Sequence, residues 1–541
     1  MIKLWAKWAA PVFVIGWLFY WPMAHVLQHG LTGGWVDTLL EPAVLDAIWF
    51  TVWQAALSAL LCVAIGLPAA YVLYRRHSKH SRLIRALITV PFALPTIVTA
   101  IGFTVFQNKD VAAASGLDAL LASPLFWIIS AHIFVNFSVV VRTVGATWAN
   151  LSHDTEEAAQ LGGAGRFRIF WSISRPQLNG AIVSSLATVF LYCTASYGLI
   201  LVLGGGLVNS IETEIAYAAN QRLDLQEAGA LAIVQTLLSI GAFMISSTGK
   251  RSAIGFEVQD SQAKQPKLDR RDWPAVAVTS LATLLVLAPL ALIVARAFLN
   301  NDGQATLANF ADLGGRGARN LLNITISQAA LNTLRNVLVA TALATLVGVA
   351  VAYLLSRRTR SKSVRLMNTL LNIAFLLPLG VSTIVLGFGY LLTFGSGWLP
   401  LRSSWLIVPL IQGLMAIPLV VRIVYPALVA ISEELGEQAS TDGASPASAF
   451  FRIELPLVRE SIGAAIGYAA IISVGEFGAA SLLAYGSQAT LPTVLYQLVS
   501  RPGGNNYGMA MAMSAIVIVL TFAVVFVASL PAKHRTAQTQ Q

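Results

Sequence analysis

Residues 157–176 read EAAQLGGAGRFRIFWSISRP, and residues 437–456 read EQASTDGASPASAFFRIELP. Glu157 and Glu437, Gly163 and Gly443, Ile173 and Ile453, and Pro176 and Pro456 are each 280 positions apart. Ser152 and Ser432 precede the two stretches as N-caps. Asp154, Glu433 and Glu434 put acid in the first turn, where a helix dipole favours it. The pattern predicts a short helix, a glycine turn, a second short helix, and a proline at the start of the next long helix. Small residues at Ala158, Ala159, Ala439 and Ser440 let another protein surface approach closely. A loop that occurs twice with one spacing implies a duplicated fold, and the rest of the chain bears on what is duplicated.

Of 541 residues, 11% are charged and 56% hydrophobic. Ordinary soluble chains carry about 25% charge, and the mean hydropathy here is +0.70. So much apolar surface requires lipid, which excludes soluble enzymes, disordered chains and disulfide-stapled secreted domains. Runs long enough to cross a bilayer lie near 8–28, 48–74, 84–106, 125–148, 178–203 and 229–248. After a polar gap they resume near 274–297, 329–356, 366–394, 404–430, 460–485 and 509–530. The expected fold is therefore all-α and polytopic, with about twelve transmembrane helices in two sets of six. Span 8–28 follows Lys3 and Lys7 like a signal peptide, but no small-residue cleavage site follows it, so it is expected to be a retained helix. Cys62 and Cys193 lie in apolar runs, have no partners at metal-site spacing, and are expected to be small membrane-helix residues.

Placing the N-terminus inside puts 25 of the 35 Lys and Arg residues in inner segments and six in outer loops. Both termini are thus expected in the cytoplasm. The net charge of +10 follows from this distribution and gives no reason to expect a nucleic-acid partner. The expected organisation is a first six-span repeat at 1–248, a cytoplasmic linker at 249–273 and a second six-span repeat at 274–541.

Outside the loops the copies also match. Ala70-Tyr71 and Arg75-Arg76 return as Ala352-Tyr353 and Arg357-Arg358, Val140-Val141-Arg142 as Val420-Val421-Arg422, and Tyr197-Gly198 as Phe477-Gly478. Six spans per copy is an even number, so both copies share one orientation, with a pseudo-two-fold axis along the membrane normal. Such symmetry places a pathway between the halves.

The paired loops resemble the E-A-A-x-x-x-G-x9-I-x-L-P signature of permease subunits of bacterial ATP-binding-cassette importers. Each occurs at the same place in a six-span repeat. Glu157, Ala158, Ala159, Gly163, Ile173 and Pro176 carry the likeness in the first copy. Glu437, Ala439, Gly443, Ile453, Leu455 and Pro456 carry it in the second. The departures are Arg175 where the family prefers Leu, and Gln438 and Ser440 in the second copy. The chain is most similar to the fused double permeases of thiamine and ferric-iron importers. Leu203-Gly204-Gly205-Gly206, Glu212 and Ile215-Ala216-Tyr217 look like the thiamine type, whereas Gly475-Glu476-Phe477-Gly478 looks like thiamine, iron and oxyanion permeases alike.

The resemblance implies a transport subunit that moves a small solute by ATP-driven alternating access. Thiamine is the first expectation and ferric iron the alternative, with polyamines and oxyanions behind. It also implies that the two loops couple to two copies of a cytoplasmic ATP-binding subunit, and that an extracytoplasmic binding protein delivers the solute. The chain has no G-x-x-x-x-G-K-[ST] loop. It is therefore expected to be no enzyme itself and to bind no cofactor, with ATP and Mg held by the partner ATPase. The competing class, a twelve-span secondary transporter, would carry a Gly/Asp/Arg-rich loop after its second span, and Arg75-Arg76-His77-Ser78-Lys79 lacks both Gly and Asp. For a membrane-embedded enzyme, the third class, no surface cluster of Asp, His or Cys speaks.

Glu476, an acid within an apolar run, has two readings: a pathway residue attractive to a cation, or a structural acid held by a hydroxyl, Arg or backbone amide. With Phe477 and the matching Ser196 and Tyr197 it forms the candidate pathway. Glu212 and Glu214 are expected to be solvated charges in an outer loop, the alternative being a contact with the binding protein or a cation. Arg142 and Arg422 are expected to snorkel to lipid headgroups, the alternative being a contact with the coupling loop. Pro95 and Pro378 are expected to break or kink their spans near the pathway, and His132 and Asn136 to bond between helices.

Overall fold

The computed structural model describes residues 2–76, 80–107, 118–248, 266–300, 302–357, 361–395, 401–432, 435, 438–439, 441–501, 503 and 505–529. The first half contributes α1 (Trp8–Gly30), α2 (Pro42–Arg75), the broken α3 (Leu83–Ala93 and Thr96–Thr104), α4 (Pro124–Ala149), the broken α5 (Arg166–Thr194 and Tyr197–Leu203) and α6 (Leu225–Ser247). The second contributes α7 (Arg270–Ala297), α8 (Ile326–Ser356), α9 (Lys362–Gly380 and Thr383–Phe394) and α10 (Ile407–Val429). It ends with α11 (Pro446–Leu457, Arg459–Gly475 and Gly478–Leu483) and α12 (Asn506–Ser529). Among the described residues nine helices are long and apolar enough to cross a membrane, and twelve spans result if each bent pair is one, the all-α duplicated membrane protein that the apolar runs imply. Large apolar side chains such as Leu338 and Leu346, 63% and 73% exposed, face outward, as lipid contact requires.

Matching glycines set the repeat's packing. A Cβ built on Gly66 of α2 would lie 2.7 Å from Val140 of α4, and one on Gly348 of α8 would lie 2.7 Å from Val420 of α10. Small residues at these crossings let the backbones close up where no hydrophobic effect drives association in lipid. The first helix of each half crosses to the other half. Gly389 of α9 abuts Pro22 and Val26 of α1, while Gly102 of α3 abuts Pro289 and Ile293 of α7.

Several boundaries differ from expectation. α5 and α11 begin at Arg166 and Pro446 because the second short helix of each loop runs onward through a π-turn, Phe170–Ser174 or Phe450–Glu454. Pro176 and Pro456 follow at the first helical positions, where the missing N–H costs nothing. The first copy is continuous from Arg166, whereas the second bends by 74° between Leu457 and Arg459. α7 begins at Arg270, inside the stretch assigned to the linker; residues 249–265 of that linker lie outside the described residues. Between the fifth and sixth spans of each half, where an outer loop is expected, short buried helices fold back inward: Ile211–Tyr217 and Leu491–Ser500. Each starts with a reciprocal capping box, Ser210 with Thr213 and Thr490 with Thr493. Each also gives a first-turn N–H to a hydroxyl in its own half: Ile211 to Thr51 at 2.9 Å and Leu491 to Thr333 at 2.8 Å.

Candidate functional site

Four helices break at the axis between the halves. α3 turns by 98° at Leu94-Pro95 and α5 by 55° at Ala195-Ser196. α9 is interrupted at Val381-Ser382 and α11 at Glu476-Phe477. Leu94 is extended ahead of a proline, as steric exclusion of the α region demands, and Pro378 lies in the first turn of the 3-10 segment Leu377–Gly380 that ends the first part of α9. The four outer pieces start at Thr96, Tyr197, Thr383 and Gly478 and converge. A Cβ on Gly198 would come 2.9 Å from the Thr96 hydroxyl and 3.1 Å from the Phe477 ring. One on Gly478 would strike Thr383. Positive helix ends and unpaired N–H groups thus gather in one buried place.

Two carboxylates answer them. Glu476 accepts the N–H groups of Ala479 at 2.7 Å and Ala480 at 3.2 Å. Of its two sequence readings, the structural one is met by backbone amides. Glu212, 1% exposed, accepts the Tyr197 N–H at 2.7 Å through one oxygen and the Ser382 hydroxyl through the other. It therefore caps a half-helix of its own half and reaches the N-cap of α9 in the other half. The expectation of a solvated loop charge is wrong here, because the helix that carries Glu212 folds into the protein. Glu214 is also buried and pairs with Arg222 at 2.6 Å. Each half thus supplies a carboxylate from a different sequence position, and the repeat alignment, which sets Glu476 against Ser196, misses the equivalence.

Tyr197 and Phe477 stack across the axis with centroids 5.5 Å apart and planes at 23°, and Tyr496 packs on Phe477 at 5.7 Å. Of the four candidate pathway residues, these two aromatics meet. Ser196 turns away, accepting or donating to His132 Nε2 at 2.7 Å, and His132 Nδ1 lies 3.2 Å from Ser58. That meets the helix-to-helix role expected of His132. Asn136 likewise donates to Cys193 Sγ at 3.6 Å. Arg142 and Arg422 are half-buried. Arg142 bonds Tyr468 of the other half, and both guanidiniums interact electrostatically with Tyr192, so these side chains have partners within the protein.

The paired loops form the second candidate element. In the first, Asp154–Leu161 is helical, the Ser152 hydroxyl accepts the Asp154 N–H at 3.1 Å, and Gly163 takes φ +81°. Gly443 takes φ +79° at the matching place, so the glycine turn occurs in both copies. Glu157, Ala158 and Pro176 are exposed, Ala159 and Ile173 are half-buried, and Ala439 is buried. In the second loop Ile453 and Leu455 are half-buried and Pro456 is exposed. Glu437, like Glu433, Glu434 and Ser440, lies outside the described residues. Leu161 and Phe167, 91% and 77% exposed, leave apolar surface on the first loop that a partner would cover.

Sequence reasoning missed what anchors these loops. Arg75, at the end of α2, is buried. It donates to the carbonyls of Trp148 and Leu151 at 3.3 and 2.6 Å and to Glu156 at 2.8 Å, and Ser174 donates to the same carboxylate at 2.9 Å. In the second half Arg357 makes a two-pronged pair with Glu454. Glu454 occupies the place of Ser174, and Glu156 that of Gly436, 280 positions apart. The matched arginines are a usable signal. Their acids moved between copies, and that hid the pair. Beside the first anchor, His153 is held below its ordinary value of 6.5, chiefly by burial and then by the Arg75 charge.

Among the described residues, up to twelve candidate spans in two matching sets, with helices broken where the halves meet and an anchored loop in each half, define a membrane permease. The chain belongs to the family of inner membrane components of binding-protein-dependent transport systems, which it matches over residues 62–302 and 344–534. It is 28% identical over 503 residues to the thiamine transport system permease protein ThiP of Brucella abortus (strain 2308), covering 90% of this chain and 87% of that protein. To ThiP of Salmonella typhimurium it is 26% identical over 516 residues, covering 93% and 92%. A probable sulfate transport system permease protein cysT from Marchantia polymorpha is 33% identical over 175 residues, covering 32% of this chain and 61% of its own.

Proposed function

We propose that this chain is the membrane-embedded half of an ATP-driven thiamine importer. Full-length similarity to thiamine permeases on both repeats carries the reading. The chemistry of the axis supports it. Thiamine is a small aromatic cation, and the constriction offers three aromatic rings beside two carboxylates, a combination that favours cations through ring faces and charge.

Two copies of a cytoplasmic ATPase would seat on the loops 154–176 and 434–456, with both chain termini on that same side. Glu157 and Glu437, with the Gly163 and Gly443 turns, would fit a groove on each ATPase. When ATP closes the ATPase pair, the loops would move together. The Arg75 and Arg357 anchors would pass that motion to α2 and α8, and the break region would part. An extracytoplasmic binding protein would release its solute into the opened space, and hydrolysis would restore the inward-open state. ATP and Mg would reside on the partner alone.

The test is ATP hydrolysis by the chain with its ATPase and binding protein in proteoliposomes, with thiamine, ferric chelate or sulfate in turn. Stimulation by thiamine alone is expected. Stimulation by ferric chelate or sulfate and not by thiamine would reassign the cargo.

A further inference from the structure

The two loops are not held alike. Asp272 opens α7, the first helix of the second half, and its carboxylate is 1% exposed. It accepts Arg166 of the first loop at 2.8 Å and the Tyr71 hydroxyl at 3.0 Å, and Arg76 lies 3.2 Å away. Its second oxygen accepts the Asp269 N–H at 2.9 Å in a capping box, and Asp269 itself pairs with Arg166 at 3.0 Å. A surface pair such as Arg166 with Asp269 is worth little alone. The Asp272 carboxylate is buried, so its pair with Arg166 is screened less than a surface pair; without Arg166 it keeps Arg76 and Tyr71 as partners but loses its link to the loop.

Among the described residues the second loop shows no matching tie. Pro446 stands where the first loop has Arg166, 280 positions earlier. Pro22 and Val26 of α1 match Pro289 and Ile293 of α7 in their contacts, which sets Trp5 against Asp272. Residues 2–7, IKLWAK, hold no carboxylate.

We propose that Asp272 and Arg166 are positioning residues that make the first loop and α7 move as one body, so that the stroke of one ATPase is passed directly to the opposite half while the other stroke is not. This rests on the coupling role given to the loops above. Because α7 packs on the outer piece of the broken α3 at Gly102, a loop tied to α7 drags that piece with it.

Two measurements on the full complex test it. Spin labels on Ser172→Cys, exposed in the first loop, and Leu281→Cys report that loop against α7, and labels on Leu435→Cys and Phe13→Cys report the second loop against α1. Native Cys62 and Cys193 are buried and escape labelling. Between the nucleotide-free and ATP–vanadate-trapped states, the first distance is expected to stay fixed and the second to shift. In Arg166→Ala the first distance should shift as well, and in Arg166→Lys it should stay near wild type. An equal shift of both pairs in the wild type would overturn the proposal.

The second measurement is ATP consumed per thiamine imported. It should rise about fivefold or more in Arg166→Ala and in Asp272→Asn, and no further in the double variant. An unchanged ratio, or additive rises, would overturn the proposal. If the wild type imports no thiamine, the cargo reading fails, and the spin-label distances still decide the tie.

Discussion

Ser382→Ala cuts the hydroxyl that joins the halves through Glu212. In the closed arrangement one Glu212 oxygen then has no donor, while the other keeps the Tyr197 N–H at 2.7 Å, so the cap of the α5 half-helix survives. A hydrogen bond to a charged group contributes roughly 1.5–3 kcal/mol, and a buried carboxylate oxygen left without a donor bears that loss in full. When the halves part, water reaches the oxygen and the loss disappears. The closed state alone is therefore raised by about 2 kcal/mol, close to 30-fold in the closed-to-open ratio. Ser382 also accepts the Ile384 N–H at 3.2 Å, but that contact lies within α9 and weighs equally on both states. Basal ATP hydrolysis by the reconstituted complex, without binding protein, should rise by up to that factor. In a Glu212→Gln background the orphaned group is neutral, and the same serine change should raise hydrolysis about fivefold less. Basal hydrolysis within twofold of wild type in Ser382→Ala, with the folded protein recovered in normal amounts, would refute the idea that this contact holds the halves together.

Other perturbations separate the two halves and the two sites. Arg75→Ala removes a buried guanidinium from two carbonyls and Glu156 and should cost about 3–5 kcal/mol. Arg357→Ala, on a side chain 45% exposed, should cost about 1 kcal/mol or less; thermal melts of the purified chain compare them. Gly198→Ala puts a methyl 2.9 Å from the Thr96 hydroxyl and 3.1 Å from Phe477, an overpacking cost of about 1–3 kcal/mol. Solute uptake should fall while the ATPase still associates, as pull-down would show. His153 is disfavoured as a cation in the folded loop, so its contribution to stability is whole above pH 6.5 and fades as pH falls through that value. Melting temperature should drop more between pH 7.5 and 5.5 for wild type than for His153→Gln.

The gross fold was open to reading because lipid imposes it. A segment that crosses hydrocarbon must satisfy its own backbone, so apolar runs report helices directly. Pro95 and the paired glycines Gly163 and Gly443 were legible for a similar reason, since proline restrains its own φ and the residue before it, and glycine alone takes positive φ without strain. Glu212 was not. Its sequence surroundings are those of an outer loop, and only the inward return of the helix Ile211–Tyr217 buries it. The signal was present in Ser210 and Thr213, a capping pair repeated at Thr490 and Thr493, which marks a helix where a loop was expected. The protein partners of Arg142 and Arg422 were equally hidden. Periodicity places them near span ends but cannot say whether that face meets lipid or the other half. Asp272 and Arg166 are 106 positions apart, and no spacing rule links them.

The most direct measurement is uptake of labelled thiamine into proteoliposomes that hold this chain with its ATPase, supplied with binding protein outside and ATP inside. Uptake that requires ATP and is abolished in Glu157→Arg/Glu437→Arg is the expected result. Uptake that persists without ATP and follows an imposed proton or sodium gradient would contradict it.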